Sequence, residues 1–213
     1  MKHYNVLIVT PGSEMDANYV SSLTETLTEC NNRGITYKWL TAKGSLVHQA
    51  REAALTGKSN LNPDDKGPLN DTVTYDKLFM IDSDITWKMT DFFRLYDSDK
   101  DVICGAYLLA DGVTSSISQN TLLTKSEILR LKGLQQIQGS GLGFVCVKSG
   151  VFEKLTRPWF TYYFQQVPSS NGSINITIGE DLTWCIKVKE AGFSIYFDPT
   201  VLVGHVKSNI VKF

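Results

Sequence analysis

What is scarce in this sequence already narrows its class. Cysteine occurs four times in 213 residues, at Cys30, Cys104, Cys146 and Cys185, far apart and without C-x-x-C spacing. That excludes a zinc ribbon or a dithiol motif and reads as reduced core thiols. Neither sign of charge dominates, since 21 Lys+Arg against 22 Asp+Glu leave a net charge of −1. Such a chain lacks the basic field that holds a nucleic-acid backbone, so no nucleic-acid partner is expected. No window reaches the roughly 20 apolar residues needed to cross a bilayer, and Met1–His3 run straight into a β-type segment with no secretory apolar region. The expectation is a cytoplasmic chain with no membrane span.

What is present is ordinary globular material, 42% hydrophobic and 20% charged, with enough apolar surface to offset the entropy of ordering. Asn5–Thr10 is a β-branched run closed by Pro11-Gly12, which reads as a buried strand and a turn. Between Asp16 and Asn32, Ala17, Val20, Leu23, Leu27 and Cys30 recur at three- and four-residue spacing, and Arg33-Gly34 supplies a stop; this predicts a helix. Ile35–Leu40 predicts a second strand, and Ser45 the N-cap of a helix that carries Leu46, Val47, Ala50, Ala53 and Ala54 to Gly57. Lys58–Thr74 is polar and rich in Pro and Gly, the pattern of a flexible flap.

Lys77–Ile81 and Val102–Leu108 predict strands on either side of a helix over Met89–Tyr96. The β-α-β-α-β-α-β order argues an α/β, Rossmann-like, mixed but mostly parallel central sheet flanked by helices on both faces, with ligands beyond the carboxyl ends of its strands. Farther on, Phe144–Lys148 and Tyr162–Gln166 read as strands, Glu180–Ala191 as a helix and Ser194–Phe197 as the last strand. No repeat or linker divides the chain. It is expected to form one domain over 1–213, with a nucleotide-binding half at about 1–110 and an acceptor and catalytic half at about 111–213.

Several clusters can carry chemistry, and each also has a plain structural use. Asp82-Ser83-Asp84 sets two carboxylates after a buried strand, able to share a divalent cation or to divide metal and ribose; a solvated turn with Asp84 as N-cap needs the same residues. Glu180-Asp181 opens a helix, where negative charge gains about 0.3–1 kcal/mol, and a carboxylate there becomes a general base if a pocket brings it a hydroxyl. His205 suits a Mn-type metal or a structural role, and Lys207 a phosphate or solvent. The glycines of Gly139-Ser140-Gly141-Leu142-Gly143-Phe144 precede a strand instead of following one, which weakens a dinucleotide reading and leaves close backbone approach to a ligand. Arg157-Pro158-Trp159-Phe160 with Tyr162 and Tyr163 offers faces for a sugar ring or for the core.

In order, these pieces resemble the GT-A-fold glycosyltransferases that use nucleotide sugars, particularly the family 2-like group. The resemblance rests on the apolar strand into DSD, the segment GSGLGFVCVKSGVFEKL, PWF, and GEDLTWCIKVKEAGFSIYFDPTVLVGHVK, and it extends from Val6 to about Lys207. It is similar in particular to virus-encoded members whose glycosyltransferase domain opens a longer chain, which implies further domains and a host-cytoplasm location. The resemblance implies that Asp84 coordinates Mn²⁺ (or Mg²⁺) on the nucleotide diphosphate. Asp82 would contact ribose or the metal shell, and His205 would add a metal ligand. It implies Asp181 as catalytic base with Glu180 orienting donor or acceptor, Thr10 and Pro11 at the nucleotide edge, and Arg51 and Lys207 on the nucleotide side. Glu52 follows Arg51 where relatives commonly have Asn.

The function the resemblance implies is metal-dependent, inverting transfer of a hexose or deoxyhexose from a UDP-sugar donor to the hydroxyl of a glycan acceptor; the residues themselves do not distinguish the base of the nucleotide. A nucleotidyltransferase of sugar phosphates would need a basic, glycine-rich triphosphate loop after the first strand, where Pro11-Gly12-Ser13-Glu14 has an acid and no cation. A non-catalytic sugar-binding module would not turn over, and a Rossmann oxidoreductase would bind NAD.

Overall fold

The computed structural model describes residues 1–57, 67–169 and 172–207. Strand β1 (Lys2–Pro11) alternates its buried side chains between two cores, Val6 and Ile8 toward one and Leu7 and Val9 toward the other. Helix α1 (Ala17–Asn32) follows, then β2 (Tyr37–Ala42), α2 (Val47–Thr56), a 3-10 turn (Pro68–Asp71), β3 (Val73–Ile81), β4 (Ile85–Thr86) and α3 (Met89–Tyr96). Next come β5 (Val102–Ala106), β6 (Thr114–Ser118), β7 (Leu122–Thr124), α4 (Lys125–Ile128), β8 (Gln135–Ile137), β9 (Gly139–Ser140), β10 (Phe144–Lys148) and α5 (Val151–Lys154). A hairpin of β11 (Tyr163–Ser169) and β12 (Gly172–Ile178) leads into α6 (Glu180–Glu190), β13 (Ile195–Leu202) and β14 (Gly204–His205).

The central sheet has the order β2-β1-β3-β10-β5-β13-β8. β1 pairs in parallel with β2 and β3, and β5 with β13, while β10 and β8 run against their neighbours, so five of seven strands point one way. The period-2 rule holds across the sheet, with Leu78, Met80, Val145 and Val147 facing one core and Phe79, Ile81, Phe144 and Cys146 the other. The first core is closed by Phe152, Trp159 and Trp184, the second by Tyr19, Phe92 and Phe93. All four cysteines are buried and unpaired. Among the described residues no helix is long and apolar enough to cross a membrane.

Several boundaries depart from the sequence expectation. The N-cap of α2 is Leu46 without a side-chain bond, so Ser45 does not cap it; Gly57 does end it, in the left-handed region at φ 69°. The second strand lies two residues later than Ile35–Leu40, because Ile35 N–H is used by the Cys30 carbonyl at the end of α1. Of the flap expected over Lys58–Thr74, residues 58–66 lie outside the described residues, Pro68–Asp71 form the 3-10 turn, and Val73 and Thr74 belong to β3. The three-stranded sheet β7-β6-β9 and strand β12 were not anticipated.

Candidate functional site

The buried runs of β1 and β3 end side by side, at Pro11 and Ile81, and expel the polar residues that follow at the same edge of the sheet. Asp82-Ser83-Asp84 is a tight turn closed by the Ile85 N–H on the Asp82 carbonyl (3.0 Å) and tied to β10 by the Asp82 N–H on the Gly143 carbonyl (3.1 Å). The α1 entrance joins it, with the Asp16 N–H on the Ser83 carbonyl at 3.0 Å.

Arg51 organises the first half of the site. Helix α2 lays its side chain, only 2% exposed, under the turn, where Nη2 donates to both Asp82 oxygens (2.9 and 3.1 Å). Its Nη1 donates to Glu180 Oε1 at 3.0 Å and to Asp181 Oδ1 at 2.6 Å. One guanidinium thus holds three carboxylates from segments up to 130 residues apart, which leaves two surplus negative charges when all are ionised. Burial answers part of that excess by pushing the Asp181 carboxyl up to about 6, against the lowering pull of Arg51 and with help from the charges of Asp82 and Glu180. The same carboxylates hold the Arg51 guanidinium charged despite its burial. Asp181 keeps 30% of its side chain exposed and lies in the first turn of α6, so its raised carboxyl is reachable from solvent.

Two residues beyond Asp82, at most about 7 Å from it between Cα atoms, Asp84 forms the second half. Its Oδ2 receives Lys207 Nζ at 3.0 Å and lies 3.2 Å from His205 Nε2. The ring is aimed by two contacts: Nδ1 lies 2.7 Å from the Leu108 carbonyl, and Tyr107 packs edge-on at 5.0 Å. A carbonyl only accepts, so Nδ1 carries a proton and Nε2 is the atom turned to Asp84. Strand β14 fixes this pairing, with His205 opposite Ile85 and the Val206 N–H on the Asp84 carbonyl at 2.8 Å. Gly204 permits it, because a Cβ there would strike the Thr86 hydroxyl.

Carboxylate oxygen plus an imidazole whose other nitrogen is tied to a carbonyl is a donor set that could hold Mn²⁺ or a similar ion, and Lys207 occupies the same carboxylate oxygen. Among the described residues no three or more His, Cys, Asp or Glu side chains are arranged so that they could hold a metal ion, so such an ion would need other ligands besides Asp84 and His205.

The structure therefore brings together Arg51, Asp82, Glu180 and Asp181, and separately Asp84, His205 and Lys207. Asp82 spends both oxygens on Arg51, and Arg51 is spent on carboxylates. Thr10 and Pro11 are buried at the end of β1, and the Thr10 hydroxyl is shared by the Tyr19 hydroxyl and the Trp39 indole. Their edge reaches the turn through Gly12, at φ 126°, where a Cβ would lie 3.4 Å from Ser83 Oγ.

Other expectations resolve differently. In the glycine segment a Cβ at Gly141 or Gly143 would collide with Tyr107, so those glycines make room for that ring. Trp159 and Phe160 belong to the core, around Phe152, whereas Tyr162 and Tyr163 are exposed. Two contacts escaped the sequence reading. Tyr162 bonds to Glu180, whose charge raises the phenol above its ordinary value, and Tyr107 supports His205. Only the aromatic density around each hinted at them.

No protein-family model matches the chain, and no curated protein matches it by sequence. Solved structures do match. The crystal structure of A197 from STIV aligns at TM-score 0.56 with 19% identity, over 100% of this chain and 98% of that one. GalNAc-T7, crystallised with UDP, GalNAc and Mn²⁺, aligns at TM-score 0.52 with 14% identity, over 96% of this chain and 44% of that one. Identities this low speak for the fold alone, a mixed sheet between helices that resembles that of GT-A glycosyltransferases.

Proposed function

We propose that this chain is a metal-dependent, inverting glycosyltransferase that moves a hexose or deoxyhexose from a UDP-sugar to a glycan hydroxyl. The observation that carries the reading is the placement of Asp181, part-exposed at the start of α6 and linked through Arg51 and Asp82 to the turn that presents Asp84 and His205. Acceptor activation calls for a base that is ionised at neutral pH yet basic enough to take a proton, and Asp181 meets both demands. Arg51 keeps it oriented, and Glu180, bonded to Tyr162, fixes the neighbouring wall. Asp84, His205 and Lys207 would hold the donor diphosphate at the other end of the turn. A divalent cation bound there supplies positive charge against the negative charge that grows on the departing UDP.

In that arrangement the acceptor oxygen, losing its proton to Asp181 Oδ, attacks the anomeric carbon opposite the departing diphosphate, and the product has inverted configuration. UDP as the carrier accords with the family resemblance and with the UDP bound in the GalNAc-T7 structure. The test is proton NMR of the product made from a UDP-sugar, Mn²⁺ and a glycan acceptor. Inversion of the anomeric coupling is expected, and retention would refute the direct-displacement role of Asp181.

A further inference from the structure

Tyr107, the residue that follows β5, is buried between the two halves of the site and touches both. Its backbone is fixed first. The Tyr107 carbonyl accepts the Ser116 N–H at 2.9 Å, and the preceding carbonyl, that of Ala106, accepts the Val203 N–H at the same distance. The Ser116 carbonyl in turn accepts the Gly141 N–H at 2.8 Å, so the tyrosine and the glycine segment share one anchor.

The side chain then works at both of its ends. The ring stands edge-on to the His205 imidazole at 5.0 Å, while Leu108, next in the chain, supplies the carbonyl 2.7 Å from Nδ1. At the far end the phenol oxygen accepts the buried Gly143 N–H at 3.3 Å. Two adjacent residues there divide three backbone groups: the Leu142 N–H donates to Asp181, the Gly143 N–H to Tyr107, and the Gly143 carbonyl accepts the Asp82 N–H at 3.1 Å. Only glycine allows so close an approach, since a Cβ on Gly143 would lie 2.9 Å from Tyr107 Cε1 and Cζ.

The two ends therefore act on different groups. A buried N–H deprived of its acceptor is costly, and the peptide that carries it turns toward another partner. That peptide lies between the donor to Asp181 and the acceptor for Asp82, so a turn there displaces both carboxylates. The imidazole depends instead on the ring, which needs no hydroxyl to hold it.

We propose that Tyr107 is a positioning residue for both halves of the site, its ring setting the His205 imidazole and its hydroxyl setting, through Gly143, the Asp181 carboxylate against the Asp82 turn. The assignment rests on the glycosyltransferase reading above. Two variants of the full chain separate the ends: Y107F keeps the ring and removes the hydroxyl, and Y107L keeps a buried apolar side chain and removes both contacts. Mn²⁺–UDP binding is titrated calorimetrically, turnover of UDP-glucose or UDP-galactose is followed with methyl glycosides as acceptors, and melting curves report the fold. Y107F should keep Mn²⁺–UDP affinity and donor KM within about twofold while kcat falls about 10- to 100-fold, the scale on which a shift of about 1 Å in a reacting group acts. Y107L should lose the same factor in kcat and, in addition, about tenfold or more in Mn²⁺–UDP affinity, because the partner that orients the imidazole is gone. Recovery of affinity without recovery of kcat, on going from Leu to Phe, is the signature of the two-ended role. Unchanged kcat in Y107F, equal loss of affinity in both variants, or losses that only follow the melting midpoint would overturn the assignment while leaving the glycosyltransferase reading in place. An unaltered chain that neither binds Mn²⁺–UDP nor turns over a UDP-sugar would overturn that reading and the assignment with it.

Discussion

Replacing Arg51 by Met asks how much of the site is held by one buried cation. The methionine stem keeps most of the packing, so the loss is electrostatic: four charged hydrogen bonds disappear, and Asp82, Glu180 and Asp181 are left facing one another with 26%, 12% and 30% of their side chains exposed. Removing one partner from a buried ionic cluster costs about 3–5 kcal/mol. For a chain of this length each kcal/mol moves the midpoint by about 2–4 °C, so a drop of roughly 6–20 °C is expected near neutral pH.

The pH dependence supplies the sharper check. Without Arg51 the Asp181 carboxyl loses the charge that pulls it down, and it rises from a value that burial has already pushed up to about 6. An acid raised in the folded state weakens the fold while ionised, so the penalty is full above the raised pKa and relieved as pH falls through it. Paired melting curves of R51M and the unaltered chain should therefore converge between about pH 8 and pH 5. A difference below about 1 kcal/mol at the higher pH, or one that does not shrink on acidification, would refute the account of Arg51 as the counter-charge of the site.

Three further outcomes follow from the geometry. Asp181→Asn keeps shape and helix-start hydrogen bonding but cannot accept a proton, so transfer should fall about 10²–10⁴-fold while UDP binding in a calorimetric titration changes little. For the unaltered chain, kcat/KM should climb with pH through about 6, because the base works only when ionised and burial, together with Arg51, Asp82, Glu180 and the Leu142 N–H, sets that value; a flat profile from pH 5 to 8 would count against it. Asp84→Ala should weaken Mn²⁺–UDP binding more than His205→Ala, since it removes a charged ligand and also frees Lys207, and calorimetry can rank the two.

Much of the framework was legible because the side-chain pattern is strong. Met89–Tyr96 and Phe144–Lys148 have the same bounds in sequence and structure, and Asp16, expected at the start of α1, is its cap. Strand β12 was readable in principle, since Ile174, Ile176 and Ile178 alternate with Asn175 and Thr177, but its polar residues resemble a loop. The site divides along the same line. Asp82, Asp84 and His205 stood out by their position after apolar runs, and Glu180-Asp181 by opening a helix. That Arg51 binds carboxylates, and that Glu52 turns to Trp159 and Phe160, could not be read from α2 alone, because those partners come from segments 31 to 130 residues away.

The central claim is tested most directly by measuring UDP release across a panel of nucleotide sugars, with Mn²⁺ and after its verified removal by EDTA. The account predicts release from a UDP-sugar that needs the cation and is lost in Asp181→Asn when transfer to an acceptor is followed. Full turnover in EDTA, or release of pyrophosphate from a nucleoside triphosphate in place of UDP from a sugar nucleotide, would contradict it.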